Sequence, residues 1–332
     1  MEYQVEIVQS RGSAYHVGQE VARKYVEYTH LQGEVPTINI EEMEKVYETF
    51  APHFIEELQG IAERLEIPYE RAASLYSGFA VPKLSVMGCS ALMTHDFYVR
   101  NYDFSPDYYD GIFSLIQQDE TFASAGYNLS LLGRHDGVNE KGVVAGLHFV
   151  SFKDYQPQVS AWAAVRMVLD RCGSAKEAID LLKEIPHAAC YNFSIADSTG
   201  MKVVVEASPT KVMVREAVDR LPCVNHFQHQ ELTHYNRENI QLSTKRLDSF
   251  EEIKDQNMNA NEVFDLFRKE ESPFFFKYYD ELFGTLHTIM YEYKSKTITT
   301  CLANGEKIVI PFDNWVKGEN MTLSELTGII TR

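Results

Sequence analysis

An α+β layered sandwich is the fold the sequence predicts, and three observations predict it. Helical spacing of apolar residues dominates the first 88 positions. Short β-rich runs separated by turn signals replace it from Cys89 onward. Two helices then interrupt the strands before strands resume, an order that suits stacked layers rather than alternating βαβ units.

A short strand at Val5–Gln9 opens the chain. Ala14, Val17, Val21, Ala22, Tyr25 and Val26 then recur at helical spacing, which predicts a helix with one apolar face. Met43, Val46, Tyr47, Phe50, Phe54, Ile55, Leu58, Ile61, Ala62 and Leu65 repeat the pattern. Pro52 lacks an N–H and clashes with the preceding turn, so it should bend or interrupt that helix. Pro68 stands where a further helix begins, running to about Ala80 before Pro82 stops it.

Beyond Cys89 the turns carry the prediction. Phe193–Ala196 and Lys202–Ala207 flank Asp197-Ser198-Thr199-Gly200 and read as a hairpin. Thr297–Ala303 and Lys307–Pro311 flank Asn304-Gly305, a dipeptide that tolerates positive φ. Asn128–Gly133 and Val143–Val150 lie on either side of Asn139-Glu140-Lys141-Gly142 and make a third. Between them residues 160–171 form a helix, and Ser174-Ala175-Lys176-Glu177 is a capping box that opens another. No repeat, low-complexity tract or linker divides the chain, so the change near residue 88 is a change of role within one body.

Composition narrows the partners. The chain has 332 residues, 45% of them hydrophobic, with 48 acidic against 31 basic side chains and a net charge of −17. That excess of negative charge disfavours nucleic acid and anionic membrane surfaces. No apolar run is long enough for a transmembrane span, and the first residues lack a basic-then-apolar signal, so the expected location is cytoplasmic. The cysteines, Cys89, Cys172, Cys190, Cys223 and Cys301, show no metal-binding spacing and read as reduced thiols, most of them buried.

One segment carries chemistry. Cys89 follows Gly88 at a predicted strand start, Arg100 arrives eleven residues later, and Asp103 three after that. A guanidinium near a thiol favours the thiolate, and a carboxylate near an amine governs its orientation and protonation. The residues alone also allow a plainer reading, in which Cys89 is one more buried thiol and Arg100 with Asp103 a surface ion pair.

The order of motifs favours the chemical reading. Cys89 is followed by Arg100-Asn101-Tyr102-Asp103-Phe104; Gly137 to Gly142 forms a Gly-x-Asn-Glu-x-Gly turn that leads to Gly146-Leu147-His148. Asn225-His226-Phe227 and Ser243-Thr244-Lys245-Arg246 come later, with weaker echoes at Gly12 to Gly18 and Gly284 to Thr288. In this order and over nearly the whole chain, the sequence resembles the acyl-coenzyme A:6-aminopenicillanic acid acyltransferase family. It is more distantly similar to the choloylglycine and penicillin V hydrolases, all N-terminal-nucleophile hydrolases.

The resemblance implies a four-layer αββα sandwich formed by residues 89–332, with residues 1–88 as a mostly helical pro-segment packed on it. It implies a precursor that cuts itself between Gly88 and Cys89 and then hydrolyses or transfers the acyl group of a linear amide through an S-acyl-enzyme. By the same resemblance Cys89 is the nucleophile and its freed α-amine the base. Asp103 holds the amine, Arg100 stabilises the thiolate, Asn225 and the backbone N–H of His148 bind the oxyanion, and Arg246 keeps geometry and charge balance. At position 148 the histidine departs from the asparagine or tyrosine expected, which alters the pocket wall but not a backbone donor. The implied partners are a small N-acyl amide and the chain's own pro-segment, with a homo-oligomer left open; no metal and no organic cofactor is implied.

Two rival readings stand beside this one: an uncut, catalytically silent relative that binds a small molecule, and a cysteine hydrolase with a histidine base drawn from His226, His229 and His234. His135 and His187 read as loop or surface residues. Tyr191-Asn192 reads as a strand start packing its tyrosine more than as part of a pocket, and the run from Phe274 to Tyr279 as packing a helix or loop onto the core more than as lining a hydrophobic acyl pocket.

Overall fold

The computed structural model describes residues 1–23, 37–79, 88–281 and 283–331. Its first strand, β1 (Glu2–Gly12), is longer than the predicted one. Four helices follow: α1 (Ala14–Val21), α2 (Ile40–Phe50), α3 (His53–Arg64) and α4 (Tyr69–Tyr76). The predicted break at Pro52 is there: α2 stops at Phe50 and α3 restarts at His53, with Pro52 as its N-cap. Pro68 caps α4. Tyr25, Val26, Ala80 and Pro82, which bore on the ends of two predicted helices, lie outside the described residues.

From Gly88 the chain is mostly strand. β2 (Gly88–Met93), β3 (Phe97–Phe104), β4 (Ile112–Gln118), β5 (Ser124–Leu129), β6 (Gly133–Arg134), β7 (Asp136–Asn139) and β8 (Val144–Ser151) come first. Helices α5 (Ala161–Arg171) and α6 (Ala175–Glu184) intervene, then β9 (Cys190–Ala196), β10 (Lys202–Ala207), β11 (Val212–Glu216) and β12 (Leu221–Cys223). Helices α7 (Gln241–Glu252) and α8 (Ala260–Arg268) precede β13 (Lys277–Tyr278), β14 (Phe283–Glu292), β15 (Thr297–Leu302) and β16 (Ile308–Ile310). A short helix, α9 (Phe312–Val316), and β17 (Glu325–Ile329) complete the order.

Among the described residues these strands form a ten-stranded sheet in the order β11-β10-β9-β8-β7-β5-β4-β1-β17, with β6 on β5. A seven-stranded sheet runs β12-β2-β3-β14-β15-β16, with β13 on β14. The sheets meet where β2 packs on β8 and β9, β12 on β9 and β10, and β15 on β17. Helices α5 and α6 lie on the first sheet, α8 on β3 and β14 of the second. The fold is thus mixed α+β, as the sequence predicts. Among the described residues no helix is long and apolar enough to cross a membrane.

Burial on both faces explains why several strands carry no clean alternation. Every residue of β3, β8, β9 and β10 is buried, so these strands are apolar or hydrogen-bonded throughout rather than apolar on one side. The hairpins across Asp197–Gly200 and Asn304-Gly305 form as predicted, with Gly200 and Asn304 at positive φ. The third does not pair as predicted. Across the 139–142 turn, β8 pairs with β7 at Asp136–Val138, while Asn128–Gly133 folds into a separate tight turn that pairs β5 with β6. Ser130 and Leu131 take positive φ there without a glycine, held by Asn128 Nδ2 donating to the Leu131 carbonyl at 2.5 Å and by Leu131 N–H donating to Asp110 Oδ2 at 2.8 Å. The capping box at α6 is half made. Ser174 accepts the Glu177 N–H, but the Glu177 carboxylate takes the N–H of Gly173 instead of that of Ser174.

Candidate active site

Strand β2, between the edge strand β12 and β3 of the second sheet, places Cys89 wholly buried beside Tyr102 of β3 and over β8 of the facing sheet. Two atoms of this one residue meet two different partners. Arg100 Nη2 donates to Cys89 Sγ at 3.2 Å, and the Cys89 backbone N–H donates to Asn225 Oδ1 at 2.8 Å. Gly88, just before it, sits in strand backbone, so the demand for glycine there is spatial rather than conformational. A Cβ would come within 2.5 Å of Phe283 Cζ and 3.1 Å of Asp103 Oδ2.

The residues named from sequence come together around that cysteine, but not as a surface ion pair. Arg100 and Asp103 are both buried and face different partners, because alternation along β3 turns them to opposite sides of the sheet. Arg246 reaches in from α7. Its Nη1 donates to Asp103 Oδ2 at 2.9 Å and its Nη2 to Asn225 Oδ1 at 2.6 Å, while Phe276 and Phe283 flank the guanidinium with ring centroids at 5.1 and 5.5 Å. The Thr285 hydroxyl donates to the other oxygen, Asp103 Oδ1, at 2.7 Å. One buried chain therefore runs Thr285–Asp103–Arg246–Asn225–Cys89.

Asn225 is over-determined. Its N–H donates to Ser243 Oγ at 2.9 Å and its Nδ2 to the Phe149 carbonyl at 3.0 Å, which leaves one of the two amide hydrogens uncommitted. Asn192 then holds both neighbours, its Nδ2 donating to the carbonyls of Val224 at 2.8 Å and His226 at 3.0 Å. From sequence, Tyr191-Asn192 at a strand start reads as packing rather than pocket; Tyr191 is buried as predicted, while Asn192 proves to hold the Asn225 loop. Nothing local marks that role, since its partners are more than thirty residues away.

On the inner side, Arg100 is tied down at three points. Besides the sulfur it donates to the Leu147 carbonyl at 2.5 Å and pairs with Asp136. Gly146 makes room for it, because a Cβ at 146 would lie 2.8 Å from Arg100 Cδ. Asp136 also accepts from His287 Nε2 at 3.0 Å, and the far nitrogen of that ring, Nδ1, lies 2.6 Å from Tyr109 Oη. Neither Asp136 nor Tyr109 was singled out from sequence.

Burial dominates the titration of the cluster. It pushes the Cys89 thiol up to about 11, against the opposing pull of Arg100. Asp103 is likewise raised by burial, with Arg246 and Thr285 working against it. Asp136 goes the other way: burial would raise it, but His287 and Arg100 together hold it well below the usual carboxylate range. Burial lowers His148 and His287, leaving both rings neutral near pH 7.

Of the other histidines, His148 lies against the cysteine, its ring hydrogen-bonded to the Cys89 backbone, and the rest are engaged elsewhere. His148 is buried on β8 with Nε2 2.9 Å from Ser194 Oγ. His226 has Nδ1 2.8 Å from Ser243 Oγ, His229 Nδ1 accepts the Glu231 N–H at 3.4 Å, and the His234 ring packs on Tyr235. His135 and His187 are not loop or surface residues. His135 is buried between the sheets with its ring 3.9 Å from that of Tyr102, and His187 is buried beside the Leu182 carbonyl at 2.7 Å. Helix and sheet layers cover both. Phe274 packs as predicted, against Phe250 and Phe267.

The mixed α+β fold carries a buried, cysteine-centred cluster, and the family comparison places the chain among acyltransferases. Residues 92–307, well over half the chain, match the acyl-coenzyme A:6-aminopenicillanic acid acyl-transferase family, and the chain belongs to that family. The match begins just past Cys89 and takes in Arg100, Asp103, His148, Asn225 and Arg246. Among solved structures, a mutant of the conjugated bile acid hydrolase of Clostridium perfringens is similar at 16% identity and a TM-score of 0.48, over 68% of this chain and 92% of that one. Penicillin V acylase of Agrobacterium tumefaciens aligns at 15% identity and a TM-score of 0.43, over 67% and 84%. The N-acylethanolamine-hydrolyzing acid amidase ortholog of Caenorhabditis elegans aligns at 12% and 0.44, over 62% and 93%. No curated protein sequence matches the chain.

Proposed function

We propose that the chain is the precursor of a cysteine N-terminal-nucleophile enzyme that hydrolyses a linear N-acyl amide, or transfers its acyl group, through a thioester on Cys89. The observation that carries this reading is the pair of contacts on one residue: a guanidinium 3.2 Å from its sulfur and an asparagine oxygen 2.8 Å from its backbone nitrogen. A structural thiol needs neither.

The first step is an N-to-S acyl shift. The Cys89 sulfur attacks the Gly88 carbonyl carbon, the Gly88–Cys89 C–N bond breaks, and the thiol proton ends on the released nitrogen. Water then hydrolyses the thioester, leaving Gly88 as a carboxylate and Cys89 with a free thiol and a free α-amine. A terminal amine has a reference pKa of about 7.7–8.0, so near neutral pH it can act as base. The sulfur needs one, since burial keeps it a thiol at that pH.

In the second reaction the amine takes the thiol proton as the sulfur attacks the substrate carbonyl. The uncommitted hydrogen on Asn225 Nδ2 and the His148 backbone N–H receive the oxyanion. Loss of one such donor typically costs about 2.7–4 kcal/mol of transition-state stabilisation. Asp103 orients the amine, and Arg246 couples Asp103 to Asn225. The leaving amine departs with the proton, and water or an acceptor amine releases the acyl group.

The same reading makes residues 89–332 an αββα sandwich and residues 1–88 its retained pro-segment; helices α5 and α6 against one sheet and α8 against the other support the layering. Five free cysteines and no disulfide among the described residues support a cytoplasmic setting. The test is intact mass of the purified protein beside Cys89→Ala, followed by a screen of N-acyl amides. Two fragments meeting at 88/89 in the parent, one 38.0 kDa species in the variant, and amide turnover in the parent alone are expected. Turnover by Cys89→Ala equal to the parent overturns the proposal.

A further inference from the structure

We propose that Asp136, held by His287 and Tyr109, is a positioning residue of this site: it fixes the Arg100 guanidinium beside the Cys89 sulfur and takes up its charge, so that the sulfur rests as a thiol until the α-amine removes its proton. The inference rests on the reading of Cys89 as nucleophile and says what sets the resting state of that nucleophile.

The geometry is a four-residue chain drawn from three strands and a loop. Tyr109 follows β3, Asp136 opens β7, His287 lies on β14, and Arg100 lies on β3; all four side chains are buried. An ionised carboxylate only accepts, so His287 must present its Nε2–H to Asp136, at 3.0 Å. The Nδ1 of that neutral ring is then an acceptor, and the Tyr109 hydroxyl, 2.6 Å away, must be its donor. Tyr127 stacks on the His287 ring at 3.6 Å and fixes its plane. A fixed His287 fixes the carboxylate, and the carboxylate fixes Nη1 of Arg100. With the Leu147 carbonyl as a second anchor, Nη2 is aimed at the sulfur.

Charge is the second half of the argument. The titratable groups around Arg100 and the sulfur come from every neighbouring element. Tyr98, Tyr102 and Asp103 stand on β3, His135 just before β7, and His148 on β8. Tyr191 stands on β9, Cys223 on β12, Arg237 just before α7, and Arg246 on α7. The tyrosines and Cys223 are raised by burial and the histidines lowered, so all are neutral near pH 7. Asp103 is bonded to Arg246 and Thr285. Among the described residues, Asp136 is the carboxylate that hydrogen-bonds Arg100. A buried cation already neutralised has little left to give a thiolate.

The experiment follows the Cys89-dependent thiolate absorbance in the far ultraviolet as pH rises, taking the difference between each protein and the same protein carrying Cys89→Ala. In the parent the signal is expected to appear only near pH 11. In Asp136→Asn, Arg100 loses the carboxylate it hydrogen-bonds, and the midpoint is expected to fall by about 1–3 units. Tyr109→Phe keeps the ring and removes one hydroxyl, so it guards against a misfolded Asp136→Asn; its midpoint is expected to fall by less, in the same direction. A midpoint unmoved in both folded variants overturns the inference, because a merely structural role would not shift the sulfur. Cleavage and amide turnover are measured on the same samples. If Cys89→Ala cuts and turns over like the parent, the functional reading fails whatever the titration shows.

Discussion

Replacing Arg246 with methionine removes the cation that joins Asp103 to Asn225 while keeping an unbranched stem between Phe276 and Phe283. Its guanidinium is buried and its partner carboxylate more so, with a 2.9 Å hydrogen bond between them. Breaking a buried pair from one side typically costs about 3–5 kcal/mol, since the other charge is left uncompensated. The 2.6 Å bond to Asn225 Oδ1 adds about 1 kcal/mol. Asp103 has an escape: burial already raises its pKa, so on losing Arg246 it can protonate and keep the Thr285 bond. That relaxation brings the expected loss to about 3–4 kcal/mol. The double variant Arg246→Met/Asp103→Asn removes the orphaned charge and should recover about half of it. Urea unfolding midpoints at matched slope, all in a Cys89→Ala background so that no cut intervenes, measure both numbers. If Arg246→Met stays within about 1 kcal/mol of its parent, or the second substitution recovers nothing, the Asp103–Arg246 pair is not what holds the site.

Gly88→Ala is expected to abolish the cut, because the new Cβ lands within 2.5 Å of Phe283 Cζ; intact mass should show one 38.0 kDa species, and Gly88→Ala/Phe283→Ala should restore two fragments. Stability is expected to fall on mild acidification. His135, His148 and His287 have folded pKa values below the ordinary one, so below about pH 6.5 the unfolded chain binds more protons than the folded one and stability drops as pH falls. Between pH 7 and 5.5 His135 and His148, both held well below the ordinary value, each contribute a loss of about 1 kcal/mol, and His148→Gln should shrink the total by that share; equal stability at both pH values would refute the neutral assignment.

What the sequence disclosed follows the reach of each signal. Pro52, Pro68, Asp197–Gly200 and Asn304-Gly305 act on their own few residues, and the structure has the elements they predict. Cys89, Arg100, Asp103, His148, Asn225 and Arg246 were legible because their motifs fall in one order along the chain. Asp136 was not. Its partner His287 is 151 positions away, and the stretch Gly133-Arg134-His135-Asp136 reads as polar loop until sheets close over it. Thr285 and Asn192 lie in segments the sequence does mark, but their bonds to Asp103 and to the Asn225 loop, spanning 182 and 32–34 positions, are not readable from it. Long-range polar pairing leaves no periodicity to find; apolar burial does.

The N-terminal segment is more than a cover, and this bears on what cutting at Gly88 can do. Strand β1 runs between β4 and β17, parallel to one and antiparallel to the other. From α3, Glu57 enters a buried cluster in which Arg166 Nη2 donates to Glu57 Oε2 at 3.0 Å and Arg166 Nε to Asp170 Oδ2 at 2.7 Å, while His53 Nε2 reaches Asp170 at 2.9 Å. Take residues 1–88 away and two strand edges lie open while Arg166 keeps only part of its countercharge. Arg166 still pairs with Asp170, so the unpaired strand edges carry the larger cost. Residues 89–332 produced alone are therefore expected to aggregate or show no cooperative unfolding, and co-production of 1–88 as a separate chain should restore both solubility and a cooperative transition. A cooperatively folded 89–332 would show that the segment only decorates the body. A cut at the 88/89 bond frees an amine without freeing a subunit.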